Sequence, residues 1–161
     1  MEKKFTRRDF MKKTAIAGGT LAAGGLFNAV PLFAAAASVK VGCILPYSKV
    51  YAVLGESITN GMMLYFDEVG GKAGGRKLEI IKEDTEVNPQ VGLRKTKKLV
   101  ESDKVDFLSG PVGSNVAMAM RDYVHDSKTI LLVSNAGADA LTREKKSPYI
   151  FSIQKGYLLL N

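Results

Sequence analysis

Residues 39–45 have the sequence VKVGCIL, in which only Lys40 is charged. A nearly continuous apolar run of this length is typical of a strand that is buried on both faces, as the strands of parallel sheets are. A loop over 46–55 follows, and then a segment that carries Ile58, Met62, Tyr65, Phe66 and Val69 at helical spacing. A strand, a loop and an amphipathic helix in this order predict the beginning of an α/β unit.

The same alternation continues along the chain. Predicted strands cover 39–45, 76–84, 105–109, 129–134 and 149–153, and predicted helices cover 56–69, 88–102, 114–126 and 139–143. The glycine-rich run 70–75 ends the first helix, and Asn88 followed by Pro89 is a typical start for the second. This alternation predicts an α/β fold with a Rossmann-like parallel sheet and helices on both of its faces.

The first 37 residues predict a targeting segment. Residues 6–12, TRRDFMK, look like a twin-arginine export signal, and a Gly/Ala-rich apolar stretch over 15–33 precedes four alanines at 34–37. We therefore expect 1–37 to be a twin-arginine signal peptide and the mature protein to be periplasmic. A retained membrane anchor is the alternative, because about 20 apolar residues can span a bilayer.

Charge and cysteine content exclude two classes of protein. The formal net charge is +7, but six of the basic residues and only two of the acidic ones lie within 1–37, so the remainder carries about +3. No basic stripe interleaved with aromatics follows the leader, and we expect no nucleic-acid partner. The single cysteine, Cys43, excludes an intramolecular disulfide framework, and its apolar neighbours predict a buried core residue.

Ligands of open α/β sheets bind beyond the carboxyl ends of the strands, where three loops of this chain meet. These loops cover 46–51, with Tyr47 and Tyr51, then 110–115, and 134–139. Ser114 opens a predicted helix, so it can offer both a hydroxyl and a backbone N–H to an anion such as a carboxylate. Ser is also a common helix cap, and the tyrosines could pack or lie on the surface.

The sequence offers little that predicts an enzyme. His125 is the only histidine, and no second metal ligand or nucleophile stands at a suitable spacing. The acidic cluster Glu83, Asp84 and Glu86 could orient the first loop, although a solvated turn is the simpler interpretation. The glycine run 70–75 follows a helix, whereas a dinucleotide fingerprint follows a strand. We therefore expect no catalytic residue, no metal and no cofactor.

The ordered set of short motifs resembles the periplasmic binding proteins of the leucine/isoleucine/valine-binding type. The matching residues, spread over 39–153, are VKVG at 39–42, LPYS at 45–48, NG at 60–61, GG at 70–71, RKLE at 76–79, ED at 83–84, NP at 88–89, KLV at 98–100, VDFLSGP at 105–111, SNAGA at 134–138, LT at 141–142 and PYIF at 148–151.

This resemblance implies the N-terminal lobe of a type I periplasmic binding protein, which delivers its ligand to the permease of an ABC importer. It further implies that the loop with Ser114 and Asn115 grips the ligand's carboxylate. The loop with Asn135, Ala136 and Gly137 assists through backbone groups, and the segment from Tyr47 to Tyr51 covers the ligand's body. Under this hypothesis 38–154 form the lobe, and 155–161 are a truncated tail.

The chain departs from the family pattern at two positions that bear on the ligand. Many members carry a second Ser or Thr where Asn115 stands and a hydroxyl residue where Ala138 stands. Loss of these donors disfavours an α-amino acid, and the paired tyrosines suit an aromatic or aliphatic carboxylate about as well. The expected ligand class is thus an amino acid or a related carboxylate, aromatic acids included. Two other functions stay open at this stage: a sensory or regulatory ligand-binding domain of the same fold, and a twin-arginine-exported α/β enzyme.

Overall fold

The computed structural model describes residues 37–153, which contain six strands and three α-helices. The predicted tail 155–161 and all but the last residue of the predicted leader lie outside the described residues. The strands are β1 (Val39–Leu45), β2 (Lys72–Ala73), β3 (Arg76–Asp84), β4 (Phe107–Ser109), β5 (Ile130–Val133) and β6 (Ile150–Ser152); the helices are α1 (Ala52–Glu68), α2 (Pro89–Glu101) and α3 (Ser114–Asp126). Short 3₁₀ turns cover Lys49–Tyr51 and Asp139–Leu141.

The strands form one sheet in the order β2-β3-β1-β4-β5-β6. Strand β1 is central and pairs in parallel with β3 on one side and with β4 on the other. Strands β5 and β6 continue the parallel ladder, whereas the short β2 runs antiparallel to β3. The sequence-based prediction of a mostly parallel α/β sheet is confirmed.

Helices cover both faces of this sheet, as predicted. On one face α1 packs through Ile58, Met62 and Phe66 against Val41, Cys43 and Leu45 of β1. On the other face α2 and α3 contribute the larger cluster, which includes Leu99 from α2 and the predicted inward residues Val116, Met120 and Val124 from α3. Among residues 37–153, no helix is both long enough and apolar enough to cross a membrane.

Helix α1 begins earlier than the sequence predicts. The loop predicted for 46–55 is helical from Ala52 onward, after the 3₁₀ turn. Gly55, the last residue of that predicted loop, lies buried inside the helix, where a Cβ would overlap the carbonyl oxygen of Pro46. The glycine therefore allows a close approach of helix and strand end, which local sequence does not reveal.

The glycine-rich run also contains a strand that the sequence did not predict. Strand β2 pairs with the first two residues of β3 and closes a tight hairpin. Gly70, Gly71, Gly74 and Gly75 flank it and all adopt positive φ angles. Glycine adopts such angles readily. They permit a turn before and a turn after β2, so that the short strand lies alongside the start of β3.

Cys43 is buried on the α1 face of β1, in agreement with the prediction. Burial raises the pKa of its thiol to about 11, and the charge of Lys82 offsets only a part of this rise. The thiol is therefore protonated at neutral pH and is a packing group rather than a nucleophile.

Candidate functional site

An open cleft of about 390 Å³ lies at the carboxyl ends of the parallel strands. Its walls come from the loops after four strands and from the first turns of two helices. The lining residues are Tyr51, Leu54, Val87, Val112, Gly113, Ser114, Asn115 and Asn135. This is the edge at which open α/β sheets bind their ligands.

The polar end of the cleft is the start of α3. Gly113 caps the helix without a side-chain hydrogen bond, and Ser114 and Asn115 open it. The Val116 N–H is already taken, because Oδ1 of Asn115 accepts it at 2.9 Å. Among the described residues the N–H groups of Ser114 and Asn115 have no acceptor, as is usual in the first turn of a helix. Two backbone donors and the Ser114 hydroxyl therefore suit an anion.

A second part of the lining is an apolar wall. It consists of Val112 after β4, Val87 between β3 and α2, and Leu54 with Tyr51 at the start of α1. Leu54 and Tyr51 are each 41% exposed, so they are free to be covered by a ligand. A cleft with donors at one end and apolar side chains along the other wall suits a molecule that has a carboxylate and an apolar body.

Asp84, at the end of β3, ties the two loops that carry this apolar wall. Its Oδ1 accepts the N–H of Tyr47 at 2.9 Å and the N–H of Glu86 at 2.8 Å. Burial opposes the ionisation of Asp84, but these two N–H donors and the charge of Lys49 outweigh it and lower the pKa of this carboxyl. Lys49 also pairs with Glu86 at 3.3 Å across the same gap.

The acidic cluster is therefore not the solvated turn that the sequence suggests. Glu83 is only 9% exposed and contacts Lys95 at 2.6 Å and Lys98 at 2.7 Å, both on α2. Asp84 orients the first loop, which is the other interpretation of the cluster. For Glu83 and Asp84 the solvated-turn prediction was wrong, because Lys95 and Lys98 of α2 contact Glu83 and the first loop contacts Asp84. Glu86 remains half exposed and is paired with Lys49.

The first tyrosine of the first loop, Tyr47, does not line the cleft. The Tyr47 hydroxyl lies 2.8 Å from Oγ1 of Thr59, and its ring packs with the α1-side core. Burial raises the pKa of Tyr47 to about 12, against the opposing effect of the Thr59 hydrogen bond. The structure therefore brings Tyr51, but not Tyr47, to the candidate site.

The loop after β5 contributes one of its three predicted residues. Asn135 is exposed and lines the cleft, whereas Ala136 and Gly137 are buried beneath it. The Ala136 N–H donates to the Pro111 carbonyl at 3.1 Å, which joins this loop to the loop before α3. Ala136 thus fixes this loop instead of facing the cleft, and Gly137 is buried as well.

Among the lining side chains, sequence reasoning missed Leu54 and Val87; Val112 belongs to the loop 110–115 that it identified but was not singled out. Leu54 falls within the loop predicted for 46–55, whereas it belongs to the first turn of α1. Val87 and Val112 each follow a strand end at the ligand-binding edge, and this position was the signal that could have identified them.

The enzyme-like features of the sequence remain separate from the cleft. Nδ1 of His125 lies 3.0 Å from Oγ of Ser147, near the opposite end of α3. Within residues 37–153, no group of His, Cys, Asp and Glu side chains is arranged to hold a metal ion.

Solved structures with this architecture are solute-binding proteins. One is an ABC transporter solute-binding protein from R. palustris in complex with benzoate; it is 44% identical, with a TM-score of 0.72 over 74% of this chain and 33% of that chain. Another, from Rhodopseudomonas palustris BisB5 in complex with 3,4-dihydroxybenzoic acid, is 30% identical, with a TM-score of 0.70 over 74% of this chain and 32% of that chain. The α/β layers described above thus match one lobe of the type I periplasmic binding protein fold.

A relative identified by sequence is also a binding protein. The "Leu/Ile/Val-binding protein homolog 6" of Brucella abortus is 30% identical over 141 residues, which are 87% of this chain and 34% of that protein. This chain therefore spans about a third of the length of the curated relatives that it matches. The family model described as "Periplasmic binding protein" matches residues 38–157. Because this match covers most of the chain, the chain belongs to the periplasmic binding protein family.

Proposed function

We propose that this chain is the substrate-binding component of an ABC importer, and that its cleft holds an amino acid or a related carboxylate, aromatic acids included, in the periplasm. The observation that carries the proposal is the start of α3. There the Ser114 hydroxyl and two N–H groups, which have no acceptor in the described part of the chain, face a cleft with an apolar wall. Each hydrogen bond to a charged oxygen contributes about 1.5–3 kcal/mol.

The ligands of the similar structures support this chemistry. Benzoate and 3,4-dihydroxybenzoic acid are carboxylates on a flat apolar ring. The walls of this cleft offer the two features that such molecules require, namely donors for the carboxylate and apolar side chains for the ring. An aromatic carboxylate is therefore the ligand that we favour for the first tests.

The proposed lobe, 38–154, would form one wall of a site that a second lobe closes. Enclosed pockets bury about 70–90% of a small ligand, whereas an open wall buries much less. We therefore expect this chain to bind benzoate weakly, with a dissociation constant on the order of 1 mM. Binding this weak is measurable from amide shifts in NMR spectra.

The test is a titration of the isotopically labelled 161-residue chain with benzoate, followed through its backbone amides. We expect saturable shifts at Ser114, Asn115 and Asn135, and no shifts there with benzamide, which has the same ring but no charge. Ser114→Ala should weaken binding, while Ser102→Ala, at the far end of α2, should leave it unchanged. Absence of saturable shifts with benzoate and with branched-chain amino acids would refute the assignment.

The location of the protein is a separate part of the proposal. Residues 1–37 are proposed to be a twin-arginine signal peptide, with Arg7 and Arg8 as its paired arginines. Replacement of both by Lys keeps the charge but should block export by this route. Cell fractionation of the chain with and without the two substitutions tests this: an exported double variant would rule out the twin-arginine route. The proposed partner is an inner-membrane permease that uses an ATPase.

A further inference from the structure

An ion pair joins the two loops that carry part of the apolar wall of the cleft. Nζ of Lys49 lies 3.3 Å from Oε2 of Glu86, and it also donates to the Glu86 carbonyl at 3.3 Å. Lys49 belongs to the loop after β1, and Glu86 belongs to the connection between β3 and α2. The contact therefore links two segments that are 37 residues apart in sequence.

Both partners stand next to residues that line the cleft. Lys49 begins the 3₁₀ turn that ends at Tyr51, and Glu86 directly precedes Val87. Tyr51 and Val87 are lining residues. Because each partner is so close in the chain to a lining residue, a change in the distance between Lys49 and Glu86 changes the distance between Tyr51 and Val87.

The backbone conformation of both partners is uncommon for their residue types. The φ angle is 61° at Lys49 and 51° at Glu86, in the left-handed region that few residues other than Gly, Asn and Asp adopt. Such conformations persist only where the surroundings hold them, and they are frequent at ligand sites. Asp84 supplies part of this hold, because its Oδ1 accepts the N–H groups of Tyr47 and Glu86.

The stability of the fold does not account for the ion pair. The Lys49 and Glu86 side chains are 57% and 45% exposed, and an ion pair between exposed side chains contributes little to folding. The shorter hydrogen bonds of Asp84, at 2.9 and 2.8 Å, already tie the same two loops together. The place of the ion pair at the rim of the lining residues instead indicates a role in the cleft.

We propose that Lys49 is a positioning residue of the binding site. Through its contact with Glu86 it sets the spacing between Tyr51 and Val87 at which the apolar wall accepts the body of the ligand, without touching the ligand itself. This inference rests on the proposed function and concerns the same cleft.

The test measures the dissociation constant of benzoate for the full-length chain and its variants, from the amide shifts of Ser114 and Asn135. Lys49→Met and Glu86→Gln each remove one charge and thereby the ion pair. If Lys49 acts through Glu86, both substitutions weaken binding, by about threefold. If the two charges instead act directly on the anionic ligand, Lys49→Met weakens binding whereas Glu86→Gln strengthens it.

Two combined variants separate a shared contact from two independent effects. Lys49→Met with Glu86→Gln should weaken binding no more than either substitution alone, because both remove the same contact. The exchanged pair, Lys49→Glu with Glu86→Lys, should recover most of the native affinity.

Lys82→Met is the matched control. It removes the same charge from a similarly exposed pair, in which Lys82 lies 3.6 Å from Glu56, and it should leave the affinity for benzoate unchanged. Because both pairs are exposed, every variant should unfold at nearly the native thermal midpoint. A loss of affinity that follows a loss of thermal stability would mean a merely structural role and would overturn the inference.

Three further results would overturn the inference and leave the proposed function intact. These are opposite effects of Lys49→Met and Glu86→Gln, unchanged affinity in both, and an exchanged pair that binds no better than the single variants. If the native chain binds neither benzoate nor branched-chain amino acids, the proposed function itself fails.

Discussion

Gly92 of α2 lies directly against Val116 of α3, so closely that a Cβ on Gly92 would overlap a methyl group of the valine. Val116 is fully buried and cannot move aside into solvent. The glycine therefore sets the distance between the two helices that cover one face of the sheet, and Val116 itself lies in the first turn of the helix that opens the cleft.

Substitution of this glycine should destabilise the fold. Gly92→Ala introduces a steric overlap in a packed core, and we expect a loss of about 1–3 kcal/mol in the free energy of unfolding. Urea denaturation of the full-length chain measures the effect.

Gly61→Ala is the matched control, because a Cβ added to Gly61 of α1 would meet no other atom within 4 Å. At position 61, alanine should stabilise the helix by about 0.5–1 kcal/mol. Changes of the same sign in both variants would contradict the packing explanation.

Asp84 should be required for the order of the two loops that it joins. Asp84→Ala leaves the N–H groups of Tyr47 and Glu86 without their acceptor, so we expect a loss of about 1–3 kcal/mol in stability. The exchange of these two amide hydrogens with solvent should become faster. Asp84→Asn retains an oxygen acceptor and should recover most of the protection. If the alanine variant exchanges these amides at the native rate, the hydrogen bonds do not hold the loops.

Glu83 should make the stability of the chain depend on pH. Burial disfavours its charged form, but hydrogen bonds and charges of Lys95 and Lys98 outweigh burial and lower the pKa of this carboxyl. A lowered folded-state pKa means that the contribution is present above the unfolded-state value of about 4.3 and is lost as the pH falls through the folded-state pKa.

The corresponding measurement compares the native chain with Glu83→Gln. At pH 7 we expect the variant to be less stable by about 1–3 kcal/mol, because two charge-assisted hydrogen bonds are weakened. This difference should shrink once the pH falls below about 4.3. Glu144→Gln, on an exposed loop, serves as the control and should show no such dependence. A constant difference between pH 7 and pH 3 would refute the assigned role of Glu83.

Much of the fold could be predicted because it follows from local patterns. The bounds of β1, β3 and α3 agree with the sequence-based assignment: β1 is a nearly continuous apolar run, β3 directly follows the glycine-rich run, and α3 carries Val116, Met120 and Val124 at helical spacing. The start of α1 could not be predicted, because Gly55 is typical of a loop until its contact with Pro46 is known. The short β2 was missed because its two residues form a strand only through pairing with β3.

Part of the candidate site could be predicted, because residues that follow the carboxyl ends of parallel strands meet at one edge of the sheet. Tyr51, Ser114, Asn115 and Asn135 follow strand ends and do line the cleft. Tyr47 points into the core instead, where its hydroxyl meets that of Thr59 on α1.

By itself, the sequence determined the alternation of strands and helices, the edge of the sheet at which a ligand would bind, and the donors at the start of α3. These are consequences of local periodicity and of chain direction in a parallel sheet. Only the tertiary structure decided which side chains reach the cleft. Contacts between residues distant in sequence bury Tyr47 and engage Asp84, and such contacts depend on packing rather than on local pattern.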